Sequence, residues 1–174
     1  MLENIAETVR DHAKAHADAY ADGAERPLGG YLKAMGVFGA SVAGLALVAG
    51  KAGREWPQLP VKDIVLLTVA THKLSRIIAK DPIASPLRAP FTRYRGTSAP
   101  SELAEEVRGR GAAHTVGELV TCPFCLAPWI ATALLGLHAL APRAARTCCT
   151  GLAAVAGSDG LQYAYAAAQQ AEQH

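Results

Sequence analysis

Between residues 119 and 141 the chain runs 23 positions without Asp, Glu, Lys or Arg, and a second uncharged stretch fills residues 34–50. These runs constrain the fold more than any other feature. A bilayer core needs about 20 apolar residues, with ~17 as a lower limit. Each run is therefore either a membrane span or a helix buried in a soluble core. Within 34–50, Gly36, Ala40 and Gly44 recur at four-residue spacing, a stripe of small residues that permits close helix contact. Glycine in a soluble helix costs about 1 kcal/mol relative to Ala, which favours the membrane reading. Aromatic residues are only 6% of the 174, which argues against an all-β fold.

The remaining elements are weaker in pattern. Leu2, Ile5, Val9, Ala13 and His16 recur at helical spacing with acids and Lys14 between them, so residues 1–28 read as an N-terminal amphipathic helix ended by Pro27 and Gly29-Gly30. His12 and His16 share its face, but no third metal ligand accompanies them. No basic-then-apolar leader is visible at the start. Residues 61–80 read as a helix whose second half carries His72, Lys73, Arg76 and Lys80. Residues 81–118, punctuated by prolines and glycines and rich in Arg, read as a long irregular loop, with Glu102, Glu105 and Glu106 suggesting one short helix. The expected architecture is all-α. It is a four-helix membrane bundle over 29–174, with helices at about 31–50, 61–80, 119–141 and 144–168.

With four spans and both termini on one side, that side and the 81–118 loop carry ten Lys and Arg against five opposite. This bias predicts cytoplasmic termini, a cytoplasmic loop and residence in a bacterial inner membrane. Net charge is +2 and aromatic interleaving is sparse, so nucleic acid is not an expected partner. The expected partners are the lipid bilayer and a further membrane or cytosolic protein, with homo-oligomerisation open. Arg88, Arg93 and Arg95 are the candidates for contact with anions or lipid headgroups; the alternative is that they only enforce topology.

Thr121-Cys122-Pro123-Phe124-Cys125 is the sharpest chemical motif. Thr121 suits a helix cap and Pro123 a first turn, which places both thiols at a helix start. The Cys-x-x-Cys spacing suits a disulfide or half of a zinc site, so Cys122 and Cys125 are the candidate redox or metal residues. The plainer alternative is a pair of small structural thiols. Cys148 and Cys149 stand roughly 24 Å along an intervening helix from this pair, so the four thiols cannot share one zinc ion. No cofactor is expected, zinc being the one the cysteines leave open.

Asp159 lies deep in the last apolar segment, where an isolated carboxylate is expensive. Counting helical rise puts it level with the cations of the 61–80 helix, so it is expected to pair with His72, Arg76 or, as the spare candidate, Lys73. The alternative is that Asp159 caps a helix broken at Gly157-Ser158.

From residue 63 to about 168 the chain resembles the bacterial family called Domain of Unknown Function 1360. The resemblance rests on Asp63-Ile64-Val65-Leu66-Leu67, His72-Lys73-Leu74-Ser75-Arg76 and Asp81-Pro82-Ile83. It continues through Ser85-Pro86-Leu87-Arg88-Ala89-Pro90-Phe91, Gly117-Glu118-Leu119-Val120 with the cysteine motif, Trp129, and Gly157-Ser158-Asp159. It implies a membrane-embedded protein and brings no catalytic residue. The expected function is that of a non-catalytic interaction or assembly subunit. A thiol-redox or metal-binding membrane protein is the first alternative and a soluble helical module the second.

Overall fold

The computed structural model describes residues 1–23 and 26–172. Leu2–Ala21 forms α1, closed by Asp22 in the left-handed conformation, and Leu28–Lys51 forms α2. Gly29 and Gly30 therefore open α2 and do not end α1. Gly30 is needed there because a Cβ would run into Thr115. Val61–Lys80 forms α3. It starts after Pro60, whose extended backbone leads into the first turn, and stops before Pro82, which lacks the N–H to continue.

The segment expected to be an irregular loop is folded. A 3-10 turn (Pro82–Ala84) leads into the single turn α4 (Ser85–Arg88). Then β1 (Thr92–Ala99) and β2 (Glu102–Val107) pair antiparallel, with Thr92 opposite Val107 and Arg93 opposite Glu106. Pro100 and Ser101 make the turn, with Ser101 at φ 62. The glutamates expected on a short helix are thus on a strand, where Arg95 Nε donates to Glu106 at 2.5 Å. Opposite charges facing across a hairpin support pairing where β-branched residues are few.

The expected helix over 119–141 is two helices, α5 (Ala112–Thr121) and α6 (Pro123–Leu140). The break falls at Cys122, which Pro123 drives into extended backbone at φ −109, ψ 108. Only Ala141 separates α6 from α7 (Pro142–Glu172), so these two helices run antiparallel. The helix α7 passes without interruption through Gly157-Ser158-Asp159, so Asp159 does not cap a broken helix.

The protein is mostly helical, and its core lies where α3 meets α6 and α7. Ala70 and Ala79 of α3, Leu126, Ile130 and Leu134 of α6, and Cys149 of α7 are buried there. Small residues on α3 let the three axes approach. The helix α2 lies along the outer flank of α6, with Phe38 edge-on to Trp129 at 5.0 Å. Leu45 sits against Gly136, where a Cβ would come within 2.8 Å of its Cδ2. Close helix contact is thus made at Gly136; Gly36 and Gly44 face nothing within 4 Å. Among the described residues two helices, α2 and α6, are long and apolar enough to cross a membrane. The cations of α3 and the polar residues of α7 keep those two helices from meeting the same measure.

Candidate functional site

Two clefts collect the residues singled out by sequence. The first, about 810 Å³, opens between α2, α5 and α6. Ala34, Met35, Phe38, Leu119, Pro128 and Trp129 supply its apolar walls, and Cys122 and Cys125 line it with them. Its polar end is centred on Glu118. The Tyr31 hydroxyl donates to Glu118 Oε2 at 2.6 Å, while Arg26 Nη1 and His114 Nε2 lie 3.9 and 3.5 Å from Oε1.

The cysteine motif has its own local geometry. Cys122, one residue later than expected, is the N-cap of α6, and its Sγ accepts the Cys125 N–H at 3.2 Å. The Thr121 hydroxyl donates back to Gly117 O at 2.8 Å, within α5. All four cysteines are free thiols: Cys122 half-buried, Cys125 and Cys148 exposed, Cys149 buried. Among the described residues, no three His, Cys, Asp or Glu side chains are grouped to hold a metal.

The second cleft, about 690 Å³, lies between α3, α7 and the hairpin tip. His72, Lys73, Arg76 and Asp159 all line it. The structure pairs Asp159 with Lys73, Nζ to Oδ2 at 2.7 Å, side chains 41% and 12% exposed. Arg76 instead meets Glu102 of β2, and His72 is exposed. The Asp159→Ala substitution strands a largely buried ammonium, at a cost of about 1–3 kcal/mol. Accumulation of the protein should fall, and the exchange Lys73→Asp with Asp159→Lys should restore part of it. Immunoblotting of whole cells checks both.

The basic residues of 81–118 divide. Arg93 and Arg95 are exposed on β1. Arg88, expected to face anions, is instead fully buried and taken up by Glu105 and two backbone carbonyls. Its position at the end of α4, under the strand β2, turns it inward. Sequence reasoning also missed Asp63, buried in the first turn of α3 and paired with Arg146 Nε at 2.9 Å. An acid at the head of an apolar helix was the available signal.

A family model described as a protein of unknown function (DUF1360) matches residues 66–165. The chain belongs to that family. The sporulation protein YjcA of Bacillus subtilis (strain 168) is similar to it, 33% identical over 101 residues that make up 56% of this chain and 85% of the relative. No solved structure matches the chain. The DUF1360 segment takes in most of α3, the hairpin, α5, α6 and most of α7, hence the packed core where α3 meets α6 and α7 and all of the second cleft's lining except Ala166. The wall of the first cleft supplied by α2 lies outside it.

Proposed function

We propose that the chain is a small helical inner-membrane protein with no catalytic activity of its own, serving as an interaction or assembly subunit. In this reading α2 and α6 cross the bilayer and α3 and α7 pack beside them. The termini and the hairpin lie on the cytoplasmic side. The observation that carries it is the surface of α2: Leu32, Met35, Val37, Val42, Leu47 and Val48 are all exposed along its length. An apolar surface of that extent on a water-soluble monomer would be unusual, whereas lipid covers it without cost. The name of the Bacillus relative states a process and no reaction, which suits a subunit.

Fractionation tests the reading. The expressed chain should stay in the membrane pellet after alkaline carbonate extraction. A cysteine introduced at Ser98, in the hairpin, should resist an impermeant maleimide added to intact cells. Recovery of a monomeric chain in detergent-free buffer would overturn it in favour of the soluble module, and labelling of position 98 from outside would overturn the topology.

A further inference from the structure

We infer that Cys122, Cys125 and Met35 bind a soft monovalent cation of the copper(I) class in the cleft between α2 and α6. Three observations converge on it. The first is the turn at the head of α6. Because Cys122 Sγ sits 3.2 Å from the Cys125 backbone nitrogen, the motif is wrapped tightly enough for both sulfurs to reach one point.

The second is helix register. Phe38 meets Trp129 and Leu45 meets Gly136, each pair 91 positions apart, so α2 and α6 run parallel with a constant offset. The same offset sets Met35 level with Leu126, next to Cys125, and Met35 lines the same cleft as the two thiols. Met35 is 70% exposed, so its thioether, on a flexible stem, is free to turn from the neighbouring helix toward the thiol pair.

The third is the donor set. Thiolate and thioether are soft ligands that select copper(I), which is content with two or three sulfurs. Zinc requires four tetrahedral positions, and the cleft does not supply them. Its carboxylate, Glu118, is engaged by Tyr31, and Cys149 is buried in the core on α7. On binding, two S–H bonds break and three S–Cu bonds form, two to the thiolates and one to the lone pair of the Met35 thioether; both protons leave to water, and no electron is transferred. The resulting anionic complex has Arg26 in the same cleft. The exposed thiol of Cys125 gives the ion a path in. Because Met35 stands on α2, the ion would tie that helix to the DUF1360 segment, and the assignment does not depend on membrane insertion.

Anaerobic titration of the purified, detergent-solubilised full chain with copper(I), in competition with bicinchoninate, tests it. One ion per chain is expected, with only sulfur neighbours in X-ray absorption. The substitutions Cys122→Ser and Cys125→Ser should each weaken binding by about 10–100-fold or more, and Cys148→Ser should leave it unchanged. Met35→Leu removes a ligand and no packing volume, so it should keep the helical circular dichroism, lower the affinity, and reduce the copper–sulfur count from three to two. Affinity as high as that of the unmodified chain in the two cysteine variants overturns the site. An unchanged sulfur count in Met35→Leu overturns the three-sulfur assignment even if the cysteine variants do not fold. A stoichiometric zinc complex at these cysteines that copper(I) fails to displace also overturns it.

Discussion

The substitution Glu105→Ala should destabilise the protein by about 3–5 kcal/mol, the cost of unpairing a buried ion. Arg88 is 0% exposed and Glu105 6%, with Nε and Oε2 2.5 Å apart. Arg88 Nη1 also donates to Ile78 O at 2.7 Å, near the end of α3, and to Asp81 O at 3.1 Å, a carbonyl that also accepts the Ala84 N–H. Removing the carboxylate leaves a guanidinium with nowhere to go, since hairpin, α4 and α3 close around it. Glu105→Gln keeps an acceptor and should lose less. The double change Arg88→Met with Glu105→Leu should recover much of the loss, because apolar replacements of a buried pair are often tolerated. It should not recover all of it, because the Ile78 carbonyl then lacks the Arg88 donor, while Asp81 O keeps the Ala84 N–H. Thermal unfolding of the detergent-solubilised chain, followed by helical signal, measures each variant. An unaltered melting temperature for Glu105→Ala would show that Arg88 reaches solvent.

The second large effect is expected at the other end of α3. Asp63 and Arg146 are bonded at 2.9 Å, but their side chains are 2% and 53% exposed. The pair is lopsided, so the two single variants should differ. Arg146→Ala abandons a buried carboxylate and should cost about 3 kcal/mol, the low end for a buried pair. Two things hold it there: Arg146 is screened by solvent, and Asp63 lies in the first turn of α3, where the helix field favours negative charge. Asp63→Asn leaves an arginine that water can solvate, and should cost less. The same unfolding experiment checks the order. A larger loss in Asp63→Asn than in Arg146→Ala would contradict it.

How far the sequence discloses this architecture depends on what kind of signal each part emits. The helix α3 lies between Pro60 and Pro82, and its bounds are legible because proline acts locally. The hairpin is not, because β1 and β2 contain few β-branched residues and their pairing rests on Arg and Glu facing each other across the turn. Those charges are equally compatible with a solvated loop until the strands are side by side. Counting helical rise along α3 and α7 identifies the level at which Asp159 meets the α3 cations. It does not choose among them, because rotation of α3 about its axis decides which cation points at α7, and Arg76 is claimed by Glu102 of the hairpin. The cysteine cleft was half legible: the motif is local, but the wall that α2 brings depends on packing at Gly136 and Trp129, which no local pattern announces.

The two pairs between α3 and α7 also decide how these helices can move. Asp63 meets Arg146 and Lys73 meets Asp159, so both helices point the same way and are pinned at two heights. The pins are about 15 Å apart along α3 and about 20 Å along α7, at the usual rise per residue. A single pin would leave a pivot, whereas two resist axial sliding as well as rotation. A piston stroke of one turn, about 5.4 Å, would have to break both together. The pair therefore moves as one strut, and displacement of α6 against it must be absorbed at Ala141, the single residue joining α6 to α7, so the motion left to this half of the molecule is tilt.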